Sequence, residues 1–237
     1  MSKYNYIVLG YNAIDYFASW YDKEKFPNTQ MRFIDNGNQS VPETLRENVI
    51  HQNQTNIGCS GGWNLALDIA FNHLDLDRVI IGQEDARISE EIFEALLEQC
   101  TPDVICGTYN NSFDFSTYAM HRDTFNKIGR FDENFLYVGC EDNDYKHRAK
   151  LAGVKIKSLG VSHQFNASIA NNNKVVPVRS SHHNADYVAR KWNNYTYTMP
   201  FGGEKTPKYT EYFMELYGTP ELWPSETEFN LFKEKQK

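Results

Sequence analysis

Short apolar runs alternate with helix-like patterns along the first half of the chain. Runs of β-branched and other apolar residues at 6–10, 31–35, 48–52, 78–82 and 104–107 read as strands. Between them, residues 13–23, 62–72 and 89–99 place apolar side chains at the spacing of one helix face. Repeated strand–helix alternation predicts an α/β fold, with a mostly parallel central sheet flanked by helices on both faces.

After Thr117 the pattern changes. A strand at 117–121 leads into a short helix and the turn-rich Gly129-Arg130-Phe131-Asp132-Glu133. The acidic cluster Glu141-Asp142-Asn143-Asp144-Tyr145 opens a further helix, and a strand at 154–159 runs toward His163. Residues 171–174 read as a loop. Beyond it, 181–192, 208–217 and 225–235 carry helical patterns joined by Pro- and Gly-containing connections.

Composition sharpens this picture in three ways. With 237 residues, 41% of them hydrophobic and many of those Tyr or Phe, the chain is expected to pack a core rather than remain disordered. No apolar stretch approaches the roughly 18 residues that span a bilayer. The early run Tyr6-Ile7-Val8-Leu9 lacks the features of a secretory segment, so a cytoplasmic protein is expected. The four cysteines, Cys59, Cys100, Cys106 and Cys140, show neither CxxC pairing nor zinc-finger spacing and read as thiols. Charge is distributed unevenly. Residues 146–210 hold eleven Lys/Arg against two acids, Asp186 and Glu204, within a protein whose formal net charge is −7. Such a basic segment is either a solvated surface or a face that meets an anionic partner.

In a parallel sheet, ligands bind beyond the carboxyl ends of the strands. Asn12 follows the first strand and Asp35-Asn36-Gly37 the second. A carboxylate there suits recognition of a base or ribose, although Asp-Asn-Gly is also ordinary turn chemistry. Asn56-Ile57-Gly58-Cys59-Ser60-Gly61-Gly62-Trp63-Asn64 lies just before a helix, where small residues and free N–H groups admit a phosphate or close packing. The fourth strand ends in Gln83-Glu84-Asp85. Hard carboxylate oxygens at that place suit Mg²⁺ or Mn²⁺ bridging a diphosphate. Neighbours on a strand point to opposite sides, so one acid, Asp85, is expected to meet the metal. His163 is a candidate for a second ligand. Glu141-Asp142-x-Asp144 provides carboxylates at a helix start, stabilised there by the helix dipole. One of them is placed to take a proton from an attacking hydroxyl.

In order and spacing these residues resemble GT-A fold glycosyltransferases, specifically family 2 and its rhamnosyltransferase-like relatives. The resemblance spans roughly residues 4–168, and its most specific stretch runs from Phe125 through Ile128-Gly129, Phe131-Asp132-Glu133 and Glu141-Asp142 to Arg148 and Gly153. It implies a GT-A catalytic domain over 1–168, with a donor half at about 1–107 and an acceptor half at about 108–168, followed by a mainly helical C-terminal extension over 169–237. It also implies a nucleotide-sugar donor, with UDP favoured, contacted through Asn12, Asp35, Asn36, Gly58, Asn64, Gln83 and Glu84. Asp85 and His163 would hold Mn²⁺ or Mg²⁺, and Asp142 beside Glu141 would be the general base of an inverting transfer. Gln83 departs from the family, which often has Asp there; that bears on how tightly metal is held.

The acceptor side falls in the basic segment. Asp144, Lys174, Arg179, Arg190, Lys191 and Trp192 are the expected acceptor-binding residues, facing a hydroxyl acceptor that is a glycan, a lipid diphosphate or a nucleic acid with a modified base. A nucleotidyltransferase would carry a Gly-rich basic signature after the first strand, where this chain has Leu9-Gly10-Tyr11-Asn12-Ala13. A degenerate protein that only binds a sugar or a partner is favoured by Gln83 and opposed by Glu141-Asp142.

Overall fold

A computed structural model describes residues 3–11, 13–108, 115–135, 139–161, 164–165, 184, 187–188 and 191–192. Asn12, His163, Lys174, Arg179 and Arg190 lie outside the described residues, as do the helices expected at 208–217 and 225–235. The strands, in chain order, are β1 (Tyr4–Gly10), β2 (Thr29–Asp35), β3 (Val49–Gln52), β4 (Arg78–Gln83), β5 (Ala86–Arg87), β6 (Val104–Gly107), β7 (Thr117–His121), β8 (Lys155–Ser158) and β9 (Gln164–Phe165). Seven of them form one sheet in the order β3-β2-β1-β4-β7-β6-β8, and β5 pairs with β9 in a separate antiparallel ribbon.

Within the large sheet only β7 runs against the others. The reason lies in the connections. Parallel neighbours need a crossover, and helices supply it after β1 and β3. The link from β6 to β7, residues 108–116, carries no helical pattern, so the chain turns back and β7 slots between β4 and β6.

Side chains alternate between two cores, as the two-residue period of a strand requires. Tyr4, Tyr6 and Val8 of β1 pack on one face, where α1 (Ile14–Trp20) brings Phe17 and Trp20, and α3 (Glu91–Gln99) brings Phe93 and Leu96. Ile7 and Leu9 pack on the other. There α2 (Gly58–Asp68) brings Trp63 and Leu67, α4 (Arg122–Ile128) brings Phe125, and α5 (Glu141–Leu151) brings Tyr145. With both faces covered, the central strands read as nearly continuous apolar runs.

The glycine-rich stretch that reads as a turn before a helix is the helix itself. α2 begins at Gly58, whose φ of 79° turns the chain into it, and whose N–H is taken by the Asn56 side chain at 2.7 Å. Gly62 lets α2 lie against β1, because a Cβ there would stand 2.5 Å from Leu9 Cδ2. Among the described residues no helix is long and apolar enough to cross a membrane.

Candidate functional site

The carboxyl ends of β1, β2 and β4 are tied into one hydrogen-bonded rim. Asn36 N–H donates to Gly10 O at 2.7 Å, and Glu84 N–H to Leu9 O at 3.2 Å. The Glu84 side chain turns inward. It is buried, and its Oε1 accepts the backbone N–H groups of Tyr11 and, at 2.9 Å, Ala13. Its Oε2 is buried without a partner. Burial pushes the carboxyl's pKa up to about 8, the Tyr11 and Ala13 amides pull it down, and the charges of Asp85 and Asp35 raise it further. Any contribution of Glu84 to donor binding therefore passes through the loop it holds.

Asp35 is fully buried and its carboxylate is saturated. Oδ1 accepts from Gly37 N–H and Gln39 Nε2, each at 2.9 Å; Oδ2 accepts from Gln39 N–H at 2.6 Å and Gln52 Nε2 at 2.7 Å. Only a displaced glutamine would expose it to a base. Asn36 is equally committed. Its amide joins Asn53, Asn56, Ile57 N–H and Gly58 O, fastening the end of β2 to the start of α2. Asn64, fully buried on α2, holds Phe131 through both its backbone N–H (2.8 Å) and its carbonyl (2.9 Å), and reaches Glu133 at 2.7 Å. Three residues expected to touch a donor thus spend their polar atoms within the protein.

α5 opens after two left-handed residues, Gly139 (φ 105°) and Cys140 (φ 70°), which turn the chain sharply and place Glu141 and Asp142 at the helix start. Glu141 is buried, with Oε2 lacking a partner; burial first, and then the neighbouring charge of Asp142, raise its pKa. Asp142 is half-buried and accepts from Lys146 Nζ at 2.7 Å and Asn143 Nδ2 at 2.9 Å. A half-buried i,i+4 pair of this kind is easily opened. Cys59, at the start of α2, reports how these parts converge. Burial raises the pKa of its thiol, and the charges of Glu141, Asp85 and Asp142 raise it further. The three acids expected to do chemistry therefore all act on the charge balance at one thiol, which lies at the start of α2.

Asp144 points the other way. It is fully buried and takes Arg148 Nε at 2.8 Å, Trp192 Nε1 at 2.9 Å and Lys191 Nζ at 2.7 Å. Lys191 also meets Asp132 Oδ2 at 2.7 Å, which Tyr187 Oη reaches at 2.7 Å. Burial alone would raise the pKa of Asp132, but Lys191, the Asn134 N–H and the Tyr187 hydroxyl outweigh it and hold it below the usual carboxylate value. Asn184 Nδ2 donates to Gly139 O at 2.8 Å. Asn184, Tyr187, Val188 and Lys191 have helical backbone, and their spacing places them on one helix face. Asp144, Lys191 and Trp192, expected at the acceptor, spend their polar atoms on one another and dock this face beside α5.

Gln39, Gln52, Lys146 and Tyr187 enter this site or its walls without having been expected from the sequence. Lys146 was within reach of a sequence argument, four residues after Asp142 on a helix. The others find partners across separate elements and leave no local signal. Among the described residues no three His, Cys, Asp or Glu side chains converge tightly enough to hold a metal by themselves. Mg²⁺ and Mn²⁺ do not require this, since one or two carboxylates plus substrate phosphates and water suffice. Asp85, a carboxylate just beyond the end of β4, fits such a partial site.

No protein-family profile matches the sequence, and no curated protein matches it. Solved structures do match in shape. A mannosyltransferase from Pyrobaculum calidifontis, PcManGT, in complex with GDP-Man and Mn²⁺, superposes with a TM-score of 0.60 at 13% identity, covering 91% of this chain and 71% of its own. TarS from S. aureus (TM-score 0.46, 14% identity, 68% of this chain) and GalNAc-T7 with UDP, GalNAc and Mn²⁺ (0.45, 10%, 96%) are more distant. This chain spans 59% and 57% of those two. At such identities the likeness is one of architecture. The chain has the GT-A fold, a mostly parallel seven-stranded sheet flanked by helices.

Proposed function

We propose that the protein is an inverting glycosyltransferase that transfers a sugar from a nucleotide-diphosphate sugar, with UDP-sugars favoured, to an acceptor hydroxyl. The observation that carries this reading is the placement, within a GT-A fold, of Asp85 just beyond the end of β4 and of Glu141 and Asp142 at the start of α5. The mannosyltransferase of the same fold was solved with a nucleotide sugar and Mn²⁺, which supports the same class of donor and ion here.

In this reading Asp85, just beyond β4, and His163 would hold Mn²⁺ or Mg²⁺ together with the donor's diphosphate. The ion supplies charge neutralisation to the departing diphosphate. Asp142 accepts the acceptor's proton as its hydroxyl oxygen bonds to the anomeric carbon and the bond from that carbon to the diphosphate oxygen breaks. A single displacement of this kind inverts the anomeric centre. Glu141, buried and retaining its proton more readily than a free carboxyl, keeps a second negative charge away from the base. Asn12, Asp35, Asn36, Gly58, Asn64 and Gln83 form or support the donor side. The catalytic domain covers 1–168, and 169–237 is a C-terminal extension that contributes Lys174, Arg179, Arg190, Lys191 and Trp192 to the acceptor side, where with Asp144 they bind or shape the site for an anionic acceptor.

A panel of UDP-, GDP- and dTDP-sugars, with and without Mn²⁺, tests this by thermal shift. A metal-dependent rise with one nucleotide, lost in Asp85→Ala, is expected. No shift with any of them sinks the donor reading. Salt tests the acceptor: activity at saturating donor that is unchanged between low and high salt rules out an anionic acceptor.

A further inference from the structure

The Glu84 carboxyl takes no part in the transfer described above, yet it is built into the centre of the rim. One oxygen receives the N–H groups of both Tyr11 and Ala13, two of the three residues joining β1 to α1. Next in line, Ile14 N–H donates to Gln39 Oε1 at 3.1 Å. α1 has no side-chain cap from Ala13, so Glu84 and Gln39, from distant points in the chain, satisfy amides that a helix start leaves open. Gln39 Nε2 in turn donates to Asp35 Oδ1 at 2.9 Å, which joins the loop after β1 to the turn after β2.

Gly10 completes the device. A Cβ at that position would stand 2.3 Å from Glu84 Oε2 and 2.2 Å from Phe33 Cζ, so the carboxyl occupies its seat only because residue 10 has no side chain. The loop's shape and the carboxyl's position are therefore interlocked. Glu84 Oε2, buried and without a partner, makes no contribution to this grip, which needs only an acceptor at Oε1.

We propose that Glu84, with Gln39, is a positioning residue that holds the Tyr11 and Ala13 amides and the start of α1 in the arrangement that receives the donor nucleotide, and so sets donor affinity without entering the reaction. This rests on the nucleotide-sugar reading. The two neighbouring acids then divide the work, with Asp85 turned to the ligand and Glu84 to the chain. A glutamine at 84 keeps a carbonyl oxygen for both amides and removes the charge; an alanine removes the grip.

The test compares wild type with Glu84→Ala, Glu84→Gln and Gln39→Ala. Amide hydrogen exchange is read on the free proteins, and kcat and donor KM are read with the nucleotide sugar that shifts wild type. Glu84→Ala is expected to speed exchange at Tyr11 and Ala13 and to raise donor KM about tenfold, with kcat within about threefold of wild type. Glu84→Gln is expected to restore most of both. Gln39→Ala gives a milder form of the same pattern, about threefold in KM, and serves if Glu84→Ala does not fold. Unchanged exchange and KM in Glu84→Ala overturn the proposal. So does a fall in kcat at constant KM, or a Glu84→Gln protein as impaired as the alanine variant, which would mean that the charge itself is required. Wild type that binds no nucleotide sugar refutes the donor reading instead, and exchange at Tyr11 and Ala13 then still reports whether Glu84 grips the loop.

Discussion

Asp132 and Asp144, and Glu84 and Glu141, are carboxyls drawn largely out of water, and the two pairs are treated in opposite ways. The first pair shares Lys191, joined by Trp192 on Asp144 Oδ1 and by Tyr187 on Asp132 Oδ2, while Arg148 and Asn134 occupy the remaining oxygens. The second pair has no cation among its hydrogen-bond partners, leaves one oxygen of each unsatisfied, and holds protons more tightly than free carboxyls do. A buried charge is tolerable when it is paired and hydrogen-bonded; otherwise the group keeps its proton. The paired acids therefore hold Tyr187, Lys191 and Trp192 against the domain. The unpaired ones lie at the strand and helix ends where, in the proposed function, a ligand and its ion arrive. Perturbed acids concentrate at functional sites, and these two agree with the proposed function, Glu84 as a support and Glu141 beside the base.

The contrast is broken most severely at Asp142, which sits between the two groups. Asp142→Asn is expected to lower kcat at least about a hundredfold while the nucleotide-sugar thermal shift persists, as steady-state and thermal-shift measurements will show. Lys191→Met is next. It leaves Asp132 without its cation and Asp144 with Arg148 alone, and is expected to cost about 2–3 kcal/mol in urea unfolding, with Asp132→Asn added to it recovering part of the loss. Acid sharpens the same side. Because the pKa of Asp132 is depressed in the fold, its contribution is complete above the ordinary value of 3.8 and is lost as pH falls through the native value. Stability against pH should show that loss in wild type and much less of it in Asp132→Asn.

Glu141 has the opposite sign. Its raised pKa means that its contribution is complete below 4.5 and is lost as pH rises through the native value, so Glu141→Gln should flatten the alkaline decline in Tm. The smallest effect is expected at an exposed pair. Arg46→Ala, which removes the contact with Glu43, should change stability by less than about 0.5 kcal/mol.

Much of the framework is legible in the chain itself. β1, β2, β4 and β7 fall where the apolar runs stand, because two-residue alternation and helical spacing are local properties of a chain. The reversal at β7 is also within reach, in the absence of a helical pattern between Gly107 and Thr117. Strand alternation would separate Glu84 from Asp85, but β4 ends at Gln83 and both lie in the turn after it, where the Glu84 carboxyl is drawn in by backbone amides. What each acid meets is not legible. Asp35 is capped by Gln52 and Asn64 by Phe131, pairings that exist only after the chain has crossed the sheet. Asp144 reads as a neighbour of Asp142 in the same site; the turn of the helix and the arrival of Lys191 and Trp192 give it a different role.

The sequence by itself determined the order of strands and helices and the placement of acids just beyond them, since both follow from periodicity along the backbone. Only the tertiary structure decided which acids are neutralised and which are left uncompensated. That difference depends on distance and burial, and residues far apart in the chain acquire both only when the sheet, α2, α5, Tyr187, Lys191 and Trp192 come together.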